Sequence, residues 1–149
     1  MSTHTASIQW PDPAAPIAPF TPETYTRDHT VVWGTGQSGQ VSAAPEYRGN
    51  PTLPNPEELL VGALCSCHML TFLAVAARKR HVVVSYTDHA VGTLVKDDRG
   101  LLCVTEVVLR PVVTFETPVD AEALAQLHEA AHRGCFIANS VRTTVRVEA

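Results

Sequence analysis

The chain has 149 residues, of which 45% are hydrophobic and 17% are charged, a composition that suits one domain with a sizeable core. The formal net charge of −4, without a basic stripe, excludes the electrostatic footprint of a nucleic-acid-binding protein. The N-terminal residues lack a secretory signal, and no apolar stretch is both long and charge-free enough to span a membrane, so we expect a cytoplasmic protein.

The first segment of the chain is rich in Ala and Pro. Residues 1–20 hold too few large apolar groups to offset the entropy of ordering, so we expect a flexible arm, followed by one domain over residues 21–149. Residues 25–41 resemble two strands around GTGQSG, whose glycines allow the positive φ angles of a hairpin turn. Residues 45–54 contain three prolines and a glycine, which predict an irregular connection.

A long helix is predicted from about Pro56 to Arg80. Asn55 can cap its start, and Glu57 lies where a carboxylate favours the positive end of the helix dipole. Residues 59–77 are apolar nearly all round the helix. We therefore expect this helix to be buried at the centre of the fold.

The second half of the chain predicts an α+β fold. Residues 117–133 have helical spacing and stop at Gly134, Cys135 opens a further short helix, and residues 143–147 alternate as a last strand. Val, Leu and Thr dominate four segments that we interpret as an antiparallel meander, namely residues 81–86, 90–96, 101–109 and 112–115.

Four cysteines in such a chain are more typical of free, catalytic or metal-bound thiols than of a disulfide framework. Cys103 lies in a predicted strand, where a thiol packs as a small hydrophobic group. Cys65 and Cys67 are about 200° apart around a helix axis, so they cannot converge on one metal ion unless the helix unwinds. Cys67 and Cys135 are the candidate redox-active thiols, and His68 is interpreted as a packed, hydrogen-bonded histidine. We expect no metal and no organic cofactor.

The sequence around both thiols resembles the OsmC/Ohr family of osmotically inducible and organic hydroperoxide resistance proteins. In NPEELLVGALCSC, an Asn-Pro-Glu opening that ends at Glu57 is followed ten residues later by Cys67, the position of the reactive cysteine in that family. A second family motif, Cys-x-x-(Ser or Ala)-Asn, is matched by CFIAN, which begins at Cys135. The resemblance covers roughly residues 25–149.

The resemblance implies an α+β domain with antiparallel sheets around a long central helix, intertwined into a homodimer, and thiol-dependent reduction of organic hydroperoxides. It implies Cys67 as the nucleophile, Cys135 as the resolving thiol and Glu57 as the orienting carboxylate. The family also uses a positioning arginine, which we assign to Arg48 because Gln37 occupies the hairpin turn where some members carry it. Turnover then requires an external dithiol, such as a lipoyl protein or a small thiol.

Two expectations about geometry follow. Ten residues of regular helix rise about 15 Å, so Glu57 cannot reach the Cys67 thiol of its own chain and must act from a second subunit or through a bridging arginine. Backbone N–H groups at the start of a short helix are expected to favour a thiolate at Cys135.

Two alternative functions use the same residues. A non-catalytic binding protein would hold a small hydrophobic ligand in an apolar cavity at the dimer interface, with passive thiols. A redox sensor would form the Cys67–Cys135 disulfide once, without rapid turnover. Replacing Cys67 by Ser separates the enzyme from the binding protein, and multiple-turnover kinetics separate the enzyme from the sensor.

Overall fold

The structure, a computed structural model, describes residues 1–16 and 18–149. The chain divides into two compact units, residues 1–59 and residues 60–149. The prediction of one domain over residues 21–149 stays a prediction. The part of the predicted arm at residue 17 lies outside the described residues.

The first unit is built on a three-stranded antiparallel sheet. Strand β1 (Ala6–Gln9) pairs with β2 (His29–Trp33), and β2 pairs with β3 (Ser38–Val41). β2 and β3 form the hairpin that the sequence predicted around GTGQSG. β1 lies within the segment predicted to be a flexible arm, which corrects that prediction for these residues. Its backbone is ordered because it pairs with β2 in a regular antiparallel ladder.

A buried carboxylate orders the segment that follows β1. Asp12 accepts hydrogen bonds from the backbone N–H of Ala14 at 2.8 Å, the Thr30 hydroxyl at 2.8 Å and the Gln40 amide at 2.9 Å. These donors, the Ala14 N–H first, lower the pKa of Asp12. The hydrogen bonds to Asp12 hold this segment in place, although it has few apolar groups to bury.

Helix α1 (Pro56–Arg78) begins at a reciprocal cap. Asn55 Oδ1 accepts a hydrogen bond from the Glu58 N–H at 2.9 Å, and Glu58 Oε2 accepts one from the Asn55 N–H at 3.0 Å. The prediction that Asn55 caps this helix is confirmed. The helix ends two residues earlier than predicted, because Arg80 adopts the left-handed conformation (φ 62°) that commonly terminates helices.

One side of α1 is buried and the other is open in the single chain. Five side chains are buried, namely Leu64, His68, Phe72, Val75 and Ala76. On the opposite side Leu70 is 60% exposed. It belongs to an exposed stripe at helical spacing formed by Leu59, Ala63, Leu70, Ala74 and Ala77. The expectation of a helix buried on all sides is therefore wrong for one chain alone, which has too few elements to cover both sides.

By length and composition, α1 is apolar enough to cross a membrane, with a mean hydropathy of 2.1. The sequence-based exclusion of such a stretch is therefore wrong on these two criteria. Buried core helices meet the same criteria. The buried side of α1 packs against a strand of the second unit, where Leu64 joins Val107 and Leu109 in one core cluster.

The second unit contains two sheets. Its first four strands are β4 (Val83–Asp88), β5 (Val91–Lys96), β6 (Leu102–Leu109) and β7 (Pro111–Phe115). β4 pairs with β7, β5 pairs with β6, and β8 (Thr144–Val147) runs parallel to β6. The predicted meander is therefore wrong in its strand order. Strand patterns are local, whereas the pairing of β4 with β7 depends on packing between distant parts of the chain.

Helix α2 (Ala121–Gly134) starts later than predicted, because Asp120 caps it by accepting a hydrogen bond from the Ala123 N–H at 2.8 Å. Cys135 is the C-cap residue of α2, with extended backbone angles (φ −73°, ψ 108°). A short 3₁₀ helix follows only at Ala138–Ser140. Cys135 therefore ends one helix instead of opening another, which corrects the sequence prediction.

A buried histidine pair joins α1 to α2. His68 Nε2 and His128 Nδ1 are hydrogen-bonded at 3.1 Å, and the two rings are stacked with an interplanar angle of 7°. The two residues are 1% and 5% exposed. The Phe72 ring lies 4.5 Å from the His128 ring, centroid to centroid. The prediction that His68 is packed and hydrogen-bonded is confirmed.

The histidine pair should make folding stability depend on pH. Burial first, and then the charge of His128, lowers the pKa of His68 from 6.5 to about 4, and burial lowers the pKa of His128 from 6.5 to about 4. Between these pH values the unfolded chain binds more protons than the folded chain. The contribution of the two buried histidines to the free energy of unfolding is therefore fully present above about pH 6.5. This contribution decreases between pH 6.5 and pH 4, by roughly 2 kcal/mol per histidine after allowance for solvent screening.

Urea unfolding at a series of pH values measures this dependence. The double variant His68→Leu/His128→Phe should flatten the decrease between pH 6.5 and 4, whereas His89→Ala, at an exposed position, should leave it unchanged. An equal slope in the double variant and the wild type would contradict the assignment.

Candidate functional site

Two thiols from different elements of the second unit lie near each other. Cys67 lies in the middle of α1 and is half-buried, whereas Cys135 follows the last residue of α2 and is 1% exposed. The two thiols lie close enough for Cys67 to raise the pKa of Cys135. The structure therefore brings together the two cysteines that the sequence singled out.

A close approach of the helices allows this proximity. A Cβ atom on Gly134 would lie 3.0 Å from Thr71 Cγ2, so glycine lets the end of α2 come against α1 one turn beyond Cys67. The Thr71 hydroxyl in turn donates a hydrogen bond to the Cys67 carbonyl at 2.8 Å. The Cys135 N–H donates to the His132 carbonyl at 3.2 Å, which holds Cys135 to the last turn of α2.

Burial controls the electrostatics of Cys135. It is the largest cause of a raised pKa at this thiol, and the neighbouring Cys67 adds to it. The Ala138 N–H approaches the Cys135 sulfur at 3.5 Å and acts in the opposite direction. The expected thiolate at Cys135 is therefore wrong, because the 3₁₀ helix starts three residues later and burial dominates.

Cys65 lies in a different environment on α1. Its thiol donates a hydrogen bond to the Gly62 carbonyl at 3.4 Å. Burial, and then the negative charge of Asp88, raises the pKa of Cys65. Asp88 is held in place by the Arg110 N–H, which donates to its Oδ1 at 2.8 Å. Cys65 is therefore kept in the thiol form, which disfavours it as a competing nucleophile.

The two predicted charged residues belong to the first unit. Glu57 lies in the first turn of α1, beside the capping residue Glu58. α1 is continuous from Pro56–Arg78, so a rise of about 15 Å along one helix separates Glu57 from Cys67. Arg48 is exposed in a left-handed conformation (φ 62°) and donates to the Pro22 carbonyl at 3.4 Å.

Arg27, which the sequence analysis missed, lines an apolar cavity of about 410 Å³ in the first unit. Its guanidinium lies 3.7 Å above the Tyr25 ring and donates to the Pro22 carbonyl at 2.9 Å. Trp10 and Phe20 complete the aromatic wall, with ring centroids 5.7 Å apart. A single arginine beside a strand has no spacing signature, so no pattern in the sequence indicated it.

The sequence analysis also missed two histidines at metal-ligand spacing on α2, one of which belongs to the buried pair. His128 and His132 lie one turn apart on α2 in the sequence HEAAH, a spacing typical of metal-binding helices. Within residues 1–16 and 18–149, no group of three or more His, Cys, Asp or Glu side chains is arranged to hold a metal ion. His128 is hydrogen-bonded to His68 instead.

Comparison with known proteins identifies the family. The family model described as OsmC-like protein matches residues 49–149. An OsmC-like protein of unknown function from Vibrio cholerae O1 biovar eltor is 42% identical, with 99% of each chain covered and a TM-score of 0.90. None of the curated proteins matches the chain.

Two less similar structures share the fold. An organic hydroperoxide resistance protein from Elizabethkingia anophelis, with bound thiocyanate, is 20% identical, with 99% of this chain and 93% of that chain covered and a TM-score of 0.74. An organic hydroperoxide resistance protein OsmC from Legionella pneumophila is 17% identical, with 99% and 95% covered and a TM-score of 0.71. With its mixed α+β fold and a family match over residues 49–149, the chain belongs to the OsmC-like protein family.

Proposed function

We propose that this protein is a cysteine-based peroxidase that reduces organic hydroperoxides at the expense of a dithiol. The observation that carries the proposal is the proximity of the half-buried Cys67 in α1 to the buried Cys135 at the end of α2, two free thiols of which the first raises the pKa of the second. Membership of a family that includes proteins named for organic hydroperoxide resistance supports the same chemistry.

The proposed reaction has three balanced steps. The Cys67 thiolate attacks one peroxide oxygen, the O–O bond breaks, and the other oxygen leaves as an alcohol after taking up a proton, which leaves a sulfenic acid on Cys67. The Cys135 thiol then attacks the sulfenic sulfur, forms the disulfide and releases water. An external dithiol, such as a lipoyl protein or a small thiol, reduces the disulfide by exchange and becomes a disulfide itself. The electrons come from that dithiol, so the cycle needs no metal or organic cofactor.

The charged groups of the site complete the proposal. Arg48 positions the thiolate and the peroxide, and Glu57 orients the arginine. Because the helix rise separates Glu57 from Cys67 of the same chain, the carboxylate acts on the thiol of a second copy in a homodimer. The exposed apolar stripe of α1 that includes Leu70 is the surface that the second copy covers. We place the protein in the cytoplasm, where dithiol reductants keep such thiols reduced.

One observation favours a second function. The aromatic cavity of about 410 Å³ in the first unit is large enough for a small hydrophobic ligand. A binding protein of this kind would not consume peroxide, and its cysteines would be passive.

Replacement of single cysteines should separate their roles. Cys67→Ser should lower peroxide consumption, measured with cumene hydroperoxide and dithiothreitol, by about 1000-fold or more, because only a thiolate attacks the peroxide fast enough. Cys135→Ser should still form the sulfenic acid but should accumulate sulfinic acid in mass spectra. Cys65→Ser is the matched control and should retain wild-type rates. Unchanged consumption by Cys67→Ser would refute the assigned nucleophile, and a single slow turnover by the wild type would indicate the sensor.

The positioning arginine is decided by a matched pair of variants. Arg48→Met should lower the second-order rate of Cys67 oxidation by roughly 10- to 100-fold, since it removes the charge that stabilises the thiolate. Arg27→Met removes an arginine from the aromatic cavity of the first unit and should change this rate less than threefold. If Arg27→Met lowered the rate of Cys67 oxidation and Arg48→Met did not, Arg27 would be the positioning arginine. Stopped-flow measurement of the oxidation rate distinguishes the two outcomes.

The oligomeric state tests the dimer. Sedimentation equilibrium at micromolar concentration should give twice the chain mass of 16.1 kDa. Leu70→Glu places a charge in the α1 stripe and should produce monomers with little peroxidase activity, whereas Leu101→Glu, at a position that is similarly exposed (56%), should leave the dimer intact. A monomeric wild type would contradict the arrangement.

A further inference from the structure

We propose that the buried His68–His128 pair is a clamp that sets the position of Cys135 against Cys67 and thereby controls disulfide formation. His68 and His128 are then positioning residues of the resolving step. The inference rests on the proposed function, because it assigns Cys135 as the resolving thiol.

The clamp lies between the two elements that carry the thiols. Cys67 precedes His68 on α1, and Cys135 follows the α2 helix that carries His128. The His68 and His128 nitrogens are 3.1 Å apart, and Phe72, one turn along α1, packs on the His128 ring at 4.5 Å. The alignment of α2 along α1 at this point therefore decides where Cys135 lies.

A hydrogen bond constrains this alignment more than apolar packing does. Apolar contacts are non-directional and tolerate sliding, whereas a ring-to-ring hydrogen bond requires both the distance and the direction of the two nitrogens. In the part of the chain that the structure describes, the outer nitrogens, His68 Nδ1 and His128 Nε2, have no hydrogen-bond partner. The His68–His128 hydrogen bond therefore offsets the cost of burying the two polar rings. A displacement of α2 along α1 would break this bond.

α2 transmits the constraint to the resolving thiol. His132 lies one turn after His128, and its carbonyl accepts the hydrogen bond from the Cys135 N–H at 3.2 Å. Gly134 allows the same turn to approach Thr71. A disulfide tolerates little displacement, because the two Cα atoms must lie within about 4.4–6.8 Å of each other. A small shift of α2 would therefore weaken the Cys67–Cys135 bond more than it would change the exposure of Cys67 to peroxide.

The disulfide equilibrium with glutathione tests the clamp without peroxide. His128→Leu should lower the equilibrium constant for the Cys67–Cys135 disulfide at least tenfold, equivalent to about 30 mV. His128→Asn, whose amide nitrogen reaches the position of Nδ1, should restore it to within threefold of the wild type. His81→Leu, a histidine replacement outside the clamp, is the control and should leave it unchanged.

Single-turnover kinetics provide a second measurement. With cumene hydroperoxide, His128→Leu should oxidise Cys67 to the sulfenic acid within twofold of the wild-type rate. Disulfide formation should be at least tenfold slower, so sulfinic acid on Cys67 should increase in mass spectra. If the histidine pair only stabilised the fold, His128→Leu would slow Cys67 oxidation and disulfide formation together, and His128→Asn would not restore disulfide formation.

The outcomes decide the proposal. A folded His128→Leu protein with a wild-type disulfide equilibrium would overturn the clamp, as would a wild-type equilibrium in His68→Leu/His128→Phe, where packing replaces the hydrogen bond. This double variant decides the question if His128→Leu does not fold, because removal of both polar partners leaves neither unpaired. If the wild type forms the disulfide but consumes no peroxide, the proposed function fails and the clamp stands.

Discussion

The approach of the end of α2 to α1 is the constraint on which the thiol site depends. Gly134 has no Cβ, and any side chain there would press on the Thr71 methyl group at 3.0 Å. In the sequence this glycine indicates only that a helix stops. In the structure it is the last residue of α2, and its lack of a side chain allows the end of α2, where Cys135 follows, to approach α1 at Thr71. The absence of a side chain at one residue thus bears on the placement of two thiols that are 68 positions apart in the chain.

α1 is apolar on two opposite sides. One side supplies the core of the second unit through residues such as Leu64 and Phe72, and that side also contains the polar His68. The opposite side is almost as apolar but is exposed in the single chain. Because both sides are apolar, the helix has no polar face. Composition alone therefore does not separate a core helix from a membrane helix.

Local electrostatics separate the thiols on and near α1. Burial raises the pKa of both Cys65 and Cys135, and the nearby Asp88 carboxylate adds to the effect at Cys65. Both thiols are therefore held protonated. Cys67, in the same helix as Cys65, is half-buried and lies near the buried Cys135 thiol.

The sequence by itself determined the features that depend on neighbouring residues. The Asn55 cap, the start of α1 and the hairpin around GTGQSG follow from local backbone chemistry, whereas Cys67 was chosen through its spacing from Glu57 in the resemblance to the OsmC/Ohr family. Only the tertiary structure decided the pairing of β4 with β7, the His68–His128 bond, the aromatic cavity around Arg27 and the raised pKa of Cys135. These features depend on groups far apart in the chain, whose distances and burial do not follow from local pattern.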